Sequence, residues 1–310
     1  MEDRVRIVDI ADELGLSTAT VSNVIHGKTK KISDETVRRV QELLEKRQYI
    51  PSMAGILLAQ NDSRIVGVIV NGGEKYEGHT LEDGFVAASL NSLTKELDEA
   101  GYFMMVKVTE SWNEIARFAS MWNMAGLILI GFCEQDYQKL RDHMRVPFVI
   151  YDGYLEDGHG LVNLVIDHYD GGRQMGEYLK KQGHKKVLCI ADNDICMDHE
   201  RYLGLCEALP EAELMVIPIQ KAKRRAFYRE HRSELLRFTA VFAVSDYYAV
   251  DLMQFLHTEN IRELTTIGQD HASRARLAIE LLEKLQRHEE TELVYRLPVT
   301  LIERDSTRIK

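Results

Sequence analysis

The stretch IADELGLSTATVSNVIHG, from Ile10 to Gly27, decides how this chain is read. Two short apolar-periodic segments flank a glycine. Ile10, Ala11 and Leu14 fall on one face of the first, and Val21, Val24 and Ile25 on one face of the second. Ala11 is small where two helices have to cross closely. Gly15 supplies the left-handed backbone of a sharp helix-turn-helix connection. Ser17 is placed to N-cap the second helix, which leaves Thr18, Ala19, Ser22 and Asn23 on its outward, N-terminal face. A helix presenting such a face is shaped to enter a DNA major groove. The same residues also fit an ordinary helical hairpin with a glycine turn.

The charge distribution bears on that choice. The chain has 310 residues and a net charge of −10, which is unfavourable for contact with phosphates until it is divided. Residues 1–64 carry ten basic and ten acidic side chains, so the whole excess of acid lies in residues 65–310. Between positions 28 and 47, Lys28, Lys30, Lys31, Arg38, Arg39, Lys46 and Arg47 outnumber four acidic residues. A basic patch beside the outward helix suits phosphate contacts, and the acidic remainder repels a duplex.

Other classes are disfavoured. No apolar run approaches the roughly 18 residues of a membrane span, and no secretory apolar region follows Met1. Cys133, Cys189, Cys196 and Cys206 lack CxxC spacing, so reduced thiols are expected rather than a disulfide scaffold or zinc site. Cys196 beside His199 has no further metal ligands nearby in sequence. There is no GxSxG, P-loop or HExxH pattern, and no cofactor is expected.

A third helix is predicted from Ser33 to about Arg47, with Val37, Val40, Leu43 and Leu44 inward, acids in its first turn and bases in its last. Pro51 then breaks the chain, and a short apolar helix is predicted over Met53–Ala59. From Arg64 onward, buried-type strands (64–70, 102–108, 127–130, 147–151) alternate with helical stretches near 84–100, 112–123 and 134–143. A second series has strands at 162–166, 186–191, 213–219 and 239–244, with helices at 169–182, 199–209, 223–236 and 246–257. Such alternation means doubly wound parallel sheets, here in two lobes, with a ligand crevice at the strand C-terminal ends.

With headpiece, linker and two lobes in this order, the chain resembles the LacI/GalR family of bacterial transcription regulators. The likeness rests on IADELGLSTATVSNVIHG and KISDETVRRVQELLEKRQYIPSMAGILLA, then VIDHYDGGRQMGEYLKKQGHKKVLCI and HERYLGLCEAL. It continues through AVFAVSDYYAV, LTTIGQDHASRARLAIELL and LPVTLIERDST. The resemblance implies an all-α helix-turn-helix headpiece (1–48), a hinge (49–62) and a bilobed, periplasmic-binding-protein-like α/β core (63–310). The first lobe would span about 63–160 plus 265–292, and the second 161–264 plus 293–304. It further implies a cytoplasmic, non-enzymatic repressor that binds a palindromic operator in double-stranded DNA as a homodimer. A small-molecule effector, carbohydrate-like, would sit between the lobes.

Carried over by position, Thr18, Ala19 and Asn23 would face base edges, and Ser17, Thr20, Ser22 and His26 would hold phosphates. Leu58 would wedge into a minor-groove step. Asp152, Arg201 and Asp246 fall where the family places effector contacts. Each has a plainer alternative: a helix end for His26, caps for the two aspartates, a structural ion pair for Arg201. Asp167 and His168 are read as structural, at a strand end before Gly171 and Gly172.

Three features depart from the family. Asn23 stands where many members carry arginine, and asparagine pairs with adenine where arginine reads guanine. Gly55 lowers helix propensity in the hinge, which should form a helix only in the DNA-bound dimer. NIRELTTIGQDHAS runs directly from the helix near 246–257 into LTTI, where relatives insert a further strand and an acidic loop of roughly two dozen residues. The second lobe is therefore expected to have one strand fewer. GEKYEGHTLEDG (73–84) is also more polar than the family's usual opening of the first core helix, so no ligand contacts carry over there. The alternative readings are a regulator of this family that has lost effector response, and a solute-binding protein.

Overall fold

The computed structural model describes residues 5–50, 63–132, 144–153, 160–256, 265–304 and 306. The chain divides into two compact units, Met1–Ser63 and Arg64–Lys310.

The first unit holds three helices, α1 (Ile7–Leu14), α2 (Thr18–Ile25) and α3 (Asp34–Lys46). Their inward faces share one core of Ile10, Ala11, Val21, Val24, Val40 and Leu43, with Leu14, Ile25, Val37 and Leu44 packed against it. The apolar spacing of the sequence selects these same positions. Gly15 ends α1 in the left-handed region (φ 66°), and its neighbour Leu16 donates its N–H to the Ala11 carbonyl. Ser33 caps α3 by accepting from Thr36 N. The hinge helix expected at 53–59, with Leu58, lies outside the described residues.

The second unit begins with a six-stranded, wholly parallel sheet. Its strands are β1 (Ile65–Val70), β2 (Phe103–Val108), β3 (Gly126–Ile130), β4 (Phe148–Tyr151), β5 (Asn163–Ile166) and β10 (Val294–Leu297), in the order β10-β5-β4-β3-β1-β2. Period-two alternation splits its side chains between two cores. Val66, Val68, Val70, Ile128 and Ile130 meet α4 (Gly84–Glu99) and α11 (His271–Gln286). Ile65, Ile69, Leu127 and Leu129 meet α5 (Trp112–Met121) on the other face.

The remaining elements pack around a third core. β6 (Val187–Ala191) lies between β7 (Glu213–Val216) and β8 (Ala240–Ala243) in a three-stranded parallel sheet. Helices α6 (His168–Lys181), α7 (Cys196–Ala208), α8 (Lys221–Glu230), α9 (Arg232–Leu235) and α10 (Asp246–Phe255) belong to this lobe. β9 (Thr266–Gln269) pairs antiparallel with β11 (Val299–Ile302) as a separate ribbon whose Ile267 and Leu301 pack on the same core. Among the described residues β8 is thus an edge strand, in keeping with the direct run from α10 into LTTI. The helix expected at 223–236 divides into α8 and α9.

The lobe boundaries expected from sequence need correction. Residues 163–166, expected to open the second lobe, form β5 of the first-lobe sheet. There Asp152 N donates to Leu164 O and Asn163 N to Leu293 O. Residues 294–297 join that sheet too, whereas 266–269, expected in the first lobe, pair with β11. The chain therefore crosses between lobes at Asp167, Asp270 and Pro298. Asp167 and Asp270 share one backbone geometry (φ −79°, ψ 85° and φ −83°, ψ 84°), and each caps the helix that follows, accepting from Asp170 N and Ser273 N. Pro298 separates two strands that pair in different sheets, in keeping with its lack of a backbone donor.

Candidate DNA-binding surface and interlobe crevice

In the headpiece, α2 starts at Ser17, whose hydroxyl accepts from Thr20 N at 3.1 Å and lies 2.9 Å from the Thr20 hydroxyl. With its first turn capped from within, the helix presents Thr18, Ala19 and Asn23 exposed, and Ser22 half-buried beside them. These side chains leave the helix opposite Val21 and Val24, which are buried in the core. Thr20 is tied to Ser17, and His26 is the C-cap residue of α2. Lys28, Lys30 and Lys31 stand exposed in the segment after α2. Of the other basic residues, Arg47 is bonded to Glu13, Arg38 lies 3.8 Å from Glu42, and Arg39 reaches the Leu14 carbonyl. The three exposed lysines directly after α2 are the cations nearest to it in sequence.

In the core, the residues expected to hold an effector lie just after β4 (Asp152), within α7 (Arg201) and at the start of α10 (Asp246), and each is already engaged. Asp152 follows β4 in a left-handed conformation (φ 69°) and is buried. Its Oδ1 accepts from Arg274 Nη2 at 2.5 Å. Burial alone would raise the pKa of this carboxyl, but the Arg274 guanidinium holds it well below the usual carboxylate range. Arg274 further donates to Leu164 O and Gln269 Oε1 and lies over the Tyr151 ring, 4.3 Å from its centroid.

Arg201 of α7 donates to Asp198 Oδ1 at 3.1 Å and to Val244 O at 2.8 Å, which ties α7 to the end of β8. Asp246, exposed at the start of α10, accepts from the Thr266 hydroxyl at 3.1 Å. The plainer reading of Arg201 as an ion-pair residue describes the contacts it makes here, whereas the two aspartates, read alternatively as caps, bond Arg274 and the Thr266 hydroxyl.

His168 is buried at the start of α6, with Nε2 3.5 Å from Asp152 Oδ1 and neither ring nitrogen hydrogen-bonded. Burial and the Arg201 charge push its pKa down against the pull of Asp152, so the ring is neutral. Across the crevice, Asp192 follows β6 and accepts from the Tyr248 hydroxyl and from Asn193 Nδ2. Burial, then this bond to Asp192, raises the Tyr248 phenol far above its ordinary value.

Sequence reasoning missed Arg274. A signal was present, because Arg274 occupies an inward position of the helical period that also buries Ala278 and Leu281. It also missed Tyr76 and Glu77, which lie in the polar segment before α4.

Residues 6–52 match the model of bacterial regulatory proteins, lacI family. The chain is 25% identical over 341 aligned positions to the HTH-type transcriptional repressor PurR of Vibrio cholerae serotype O1 (strain M66-2), covering 97% of this chain and 98% of that protein. It is 27% identical to the PurR repressor of Vibrio atlanticus (strain LGP32), over 86% of this chain and 81% of that one. In fold it is similar to the lac repressor dimer bound to operator and the anti-inducer ONPF, with TM-score 0.81, 20% identity, and 98% and 99% of the two chains covered. The transcriptional regulator CelR in complex with cellobiose superposes with TM-score 0.65 at 21% identity, over 98% of this chain and all of the other. Residues 6–52 thus match the lacI family of bacterial regulatory proteins, and the chain as a whole is similar in sequence to PurR repressors and in fold to the lac repressor.

Proposed function

We propose that this protein is a transcriptional repressor that binds a roughly palindromic operator as a homodimer, with α2 laid in the major groove. The observation that carries this reading is the exposed face of Thr18, Ala19 and Asn23 on a helix whose other face is locked into the headpiece core. Thr18, Ala19 and Asn23 meet base edges. Ser17, Thr20, Ser22 and His26 approach phosphates, joined by Lys28, Lys30 and Lys31, and Leu58 contributes from the hinge. Relatives are named as transcriptional repressors, which supports a regulatory rather than an enzymatic role. No helix among the described residues is long and apolar enough to cross a membrane, and the proposed site of action is the bacterial cytoplasm, where the operator lies.

The proposed domain limits follow the crossovers: headpiece to 48, hinge 49–62, then a core whose lobes exchange chain at Asp167, Asp270 and Pro298. A small, hydroxyl-bearing effector in the crevice, of the kind suggested by the cellobiose complex of CelR, biases the lobes between two states. Asp152, Arg201 and Asp246 line the proposed crevice. Their internal bonds make them organisers of its walls, and Asp246, the exposed one, is the best placed for direct contact.

The test is selection of duplexes from a random pool by the full chain, followed by gel-shift titration. An inverted repeat bound by a dimer is expected. Binding of every duplex alike would exclude the sequence-specific reading.

A further inference from the structure

The polar segment between β1 and α4 carries two short 3-10 turns, Glu74–Tyr76 and Thr80–Glu82. Glu77 ends the first in a left-handed conformation (φ 48°), unfavourable for a side chain with a Cβ, and Gly78 follows at φ 86°. That strained turn sends the Glu77 carboxylate across to the second lobe, where Oε1 accepts from the Lys221 backbone N–H at 2.9 Å.

Lys221 opens α8, a helix that lacks a cap of its own. Gln220, its N-cap residue, makes no side-chain capping bond, and no acidic residue lies in the first turn. That turn is instead basic, with Lys221, Lys223 and Arg224, the wrong sign for the positive end of a helix. Glu77 thus supplies from the other lobe both the acceptor and the negative charge that α8 needs.

Tyr76 is the neighbour of Glu77. Its ring packs against the first-lobe core. Charges of both lobes act on its hydroxyl, Asp83 and Asp152 from the first and Asp192 from the second. Burial and these three carboxylates keep the phenol protonated.

We propose that Tyr76 and Glu77 act as a tethered internal ligand, Tyr76 filling part of the interlobe crevice and Glu77 clasping α8, so that the lobes close without any small molecule. An effector then acts by displacing this segment rather than by entering an open cleft. The segment is also the one whose polar sequence departs from the family's usual opening of the first core helix. The inference concerns the core alone and stands whether or not the headpiece binds DNA.

The experiment is hydrogen exchange and small-angle scattering on the full chain, with Glu77→Gln and Tyr76→Ala variants. Glu77→Gln keeps the volume and removes the charge. The Lys221 amide is expected to exchange about tenfold faster or more, the scale of a lost charge-assisted hydrogen bond, and the radius of gyration to rise. Unchanged exchange and radius would overturn the clasp. Tyr76→Ala is expected to melt earlier and to be restored by millimolar phenol, which has no such effect on the parent chain. Equal response of variant and parent to phenol would overturn the plug. If Tyr76→Ala does not fold, Tyr76→Phe serves in its place. Retained closure is expected there, because the ring is what fills the space, and an opened radius would contradict it.

Discussion

Asp152 and Arg274, 122 positions apart in sequence, form a buried ion pair at 2.5 Å that joins the end of β4 to the start of α11. The pair fastens the α11 crossover to the first-lobe sheet, since Arg274 also bonds the β5 carbonyl of Leu164. Asp152→Asn removes the charge while keeping the residue type that best tolerates a left-handed backbone. It leaves Arg274 charged and buried without its partner. The expected loss is about 3–5 kcal/mol of core stability by urea unfolding, the usual size for breaking one side of a buried pair. A loss below about 1 kcal/mol would mean that the site is well hydrated, as exposed pairs are.

Two histidines set the pH dependence of the core. Burial lowers the pKa of both His168 and His271. In the unfolded chain each titrates near the ordinary value of about 6.5. As pH falls through that value the unfolded state takes up protons that the native state refuses, so stability falls. Asp152, lowered in the native state, retains its contribution until pH drops below about 4. His79, raised by its exposed pairing with Glu82, acts in the opposite sense but is screened by solvent. The melting temperature of the core is therefore expected to be lower at about pH 5.5 than at about pH 7.5. His168→Gln should shrink that difference, and a variant with the parent's full pH dependence would remove His168 from the explanation.

Helices α6 and α7 cross through glycine. A Cβ at Gly172 would stand 2.0 Å from Arg201 O, and one at Gly204 2.0 Å from Tyr169 O. Backbone cannot yield as a flexible side chain does, so Gly172→Ala is expected to cost about 1–3 kcal/mol or more. Gly84→Ala, where a Cβ meets nothing within 4 Å, is the control and should be near neutral. Calorimetry of the two variants decides. Equal melting temperatures would show that the crossing relaxes freely.

The lysines after α2 give a salt-dependence test. If Lys30 and Lys31 contact phosphates, replacing either by alanine weakens operator binding alike for all sequences. It also reduces the slope of log affinity against log salt by about one. A changed sequence preference with an unchanged slope would assign them to base contacts instead.

The headpiece was legible because its signals are local. Gly15, Ser17 and the apolar spacing at Ile10, Ala11, Val21 and Val24 fix its turn, cap and core within one short stretch. The strands were legible for the same reason. Their assignment to lobes was not, because Asn163–Ile166 and Val294–Leu297 choose partners by pairing with each other across the chain. Asp152, Arg201 and Asp246 were found by their positions in the resemblance, but their partners were invisible. Nothing local to Asp152 announces Arg274, and nothing local to Glu77 announces the uncapped end of α8.

The central claim is that α2 reads base pairs, and fluorescence anisotropy with the selected operator measures it directly. Asn23→Ala should lose about 1–3 kcal/mol on the selected duplex, with relaxed preference at one base pair of each half-site and unchanged binding to random DNA. Equal affinity of parent and variant for the operator, with the same base preference, would contradict the account.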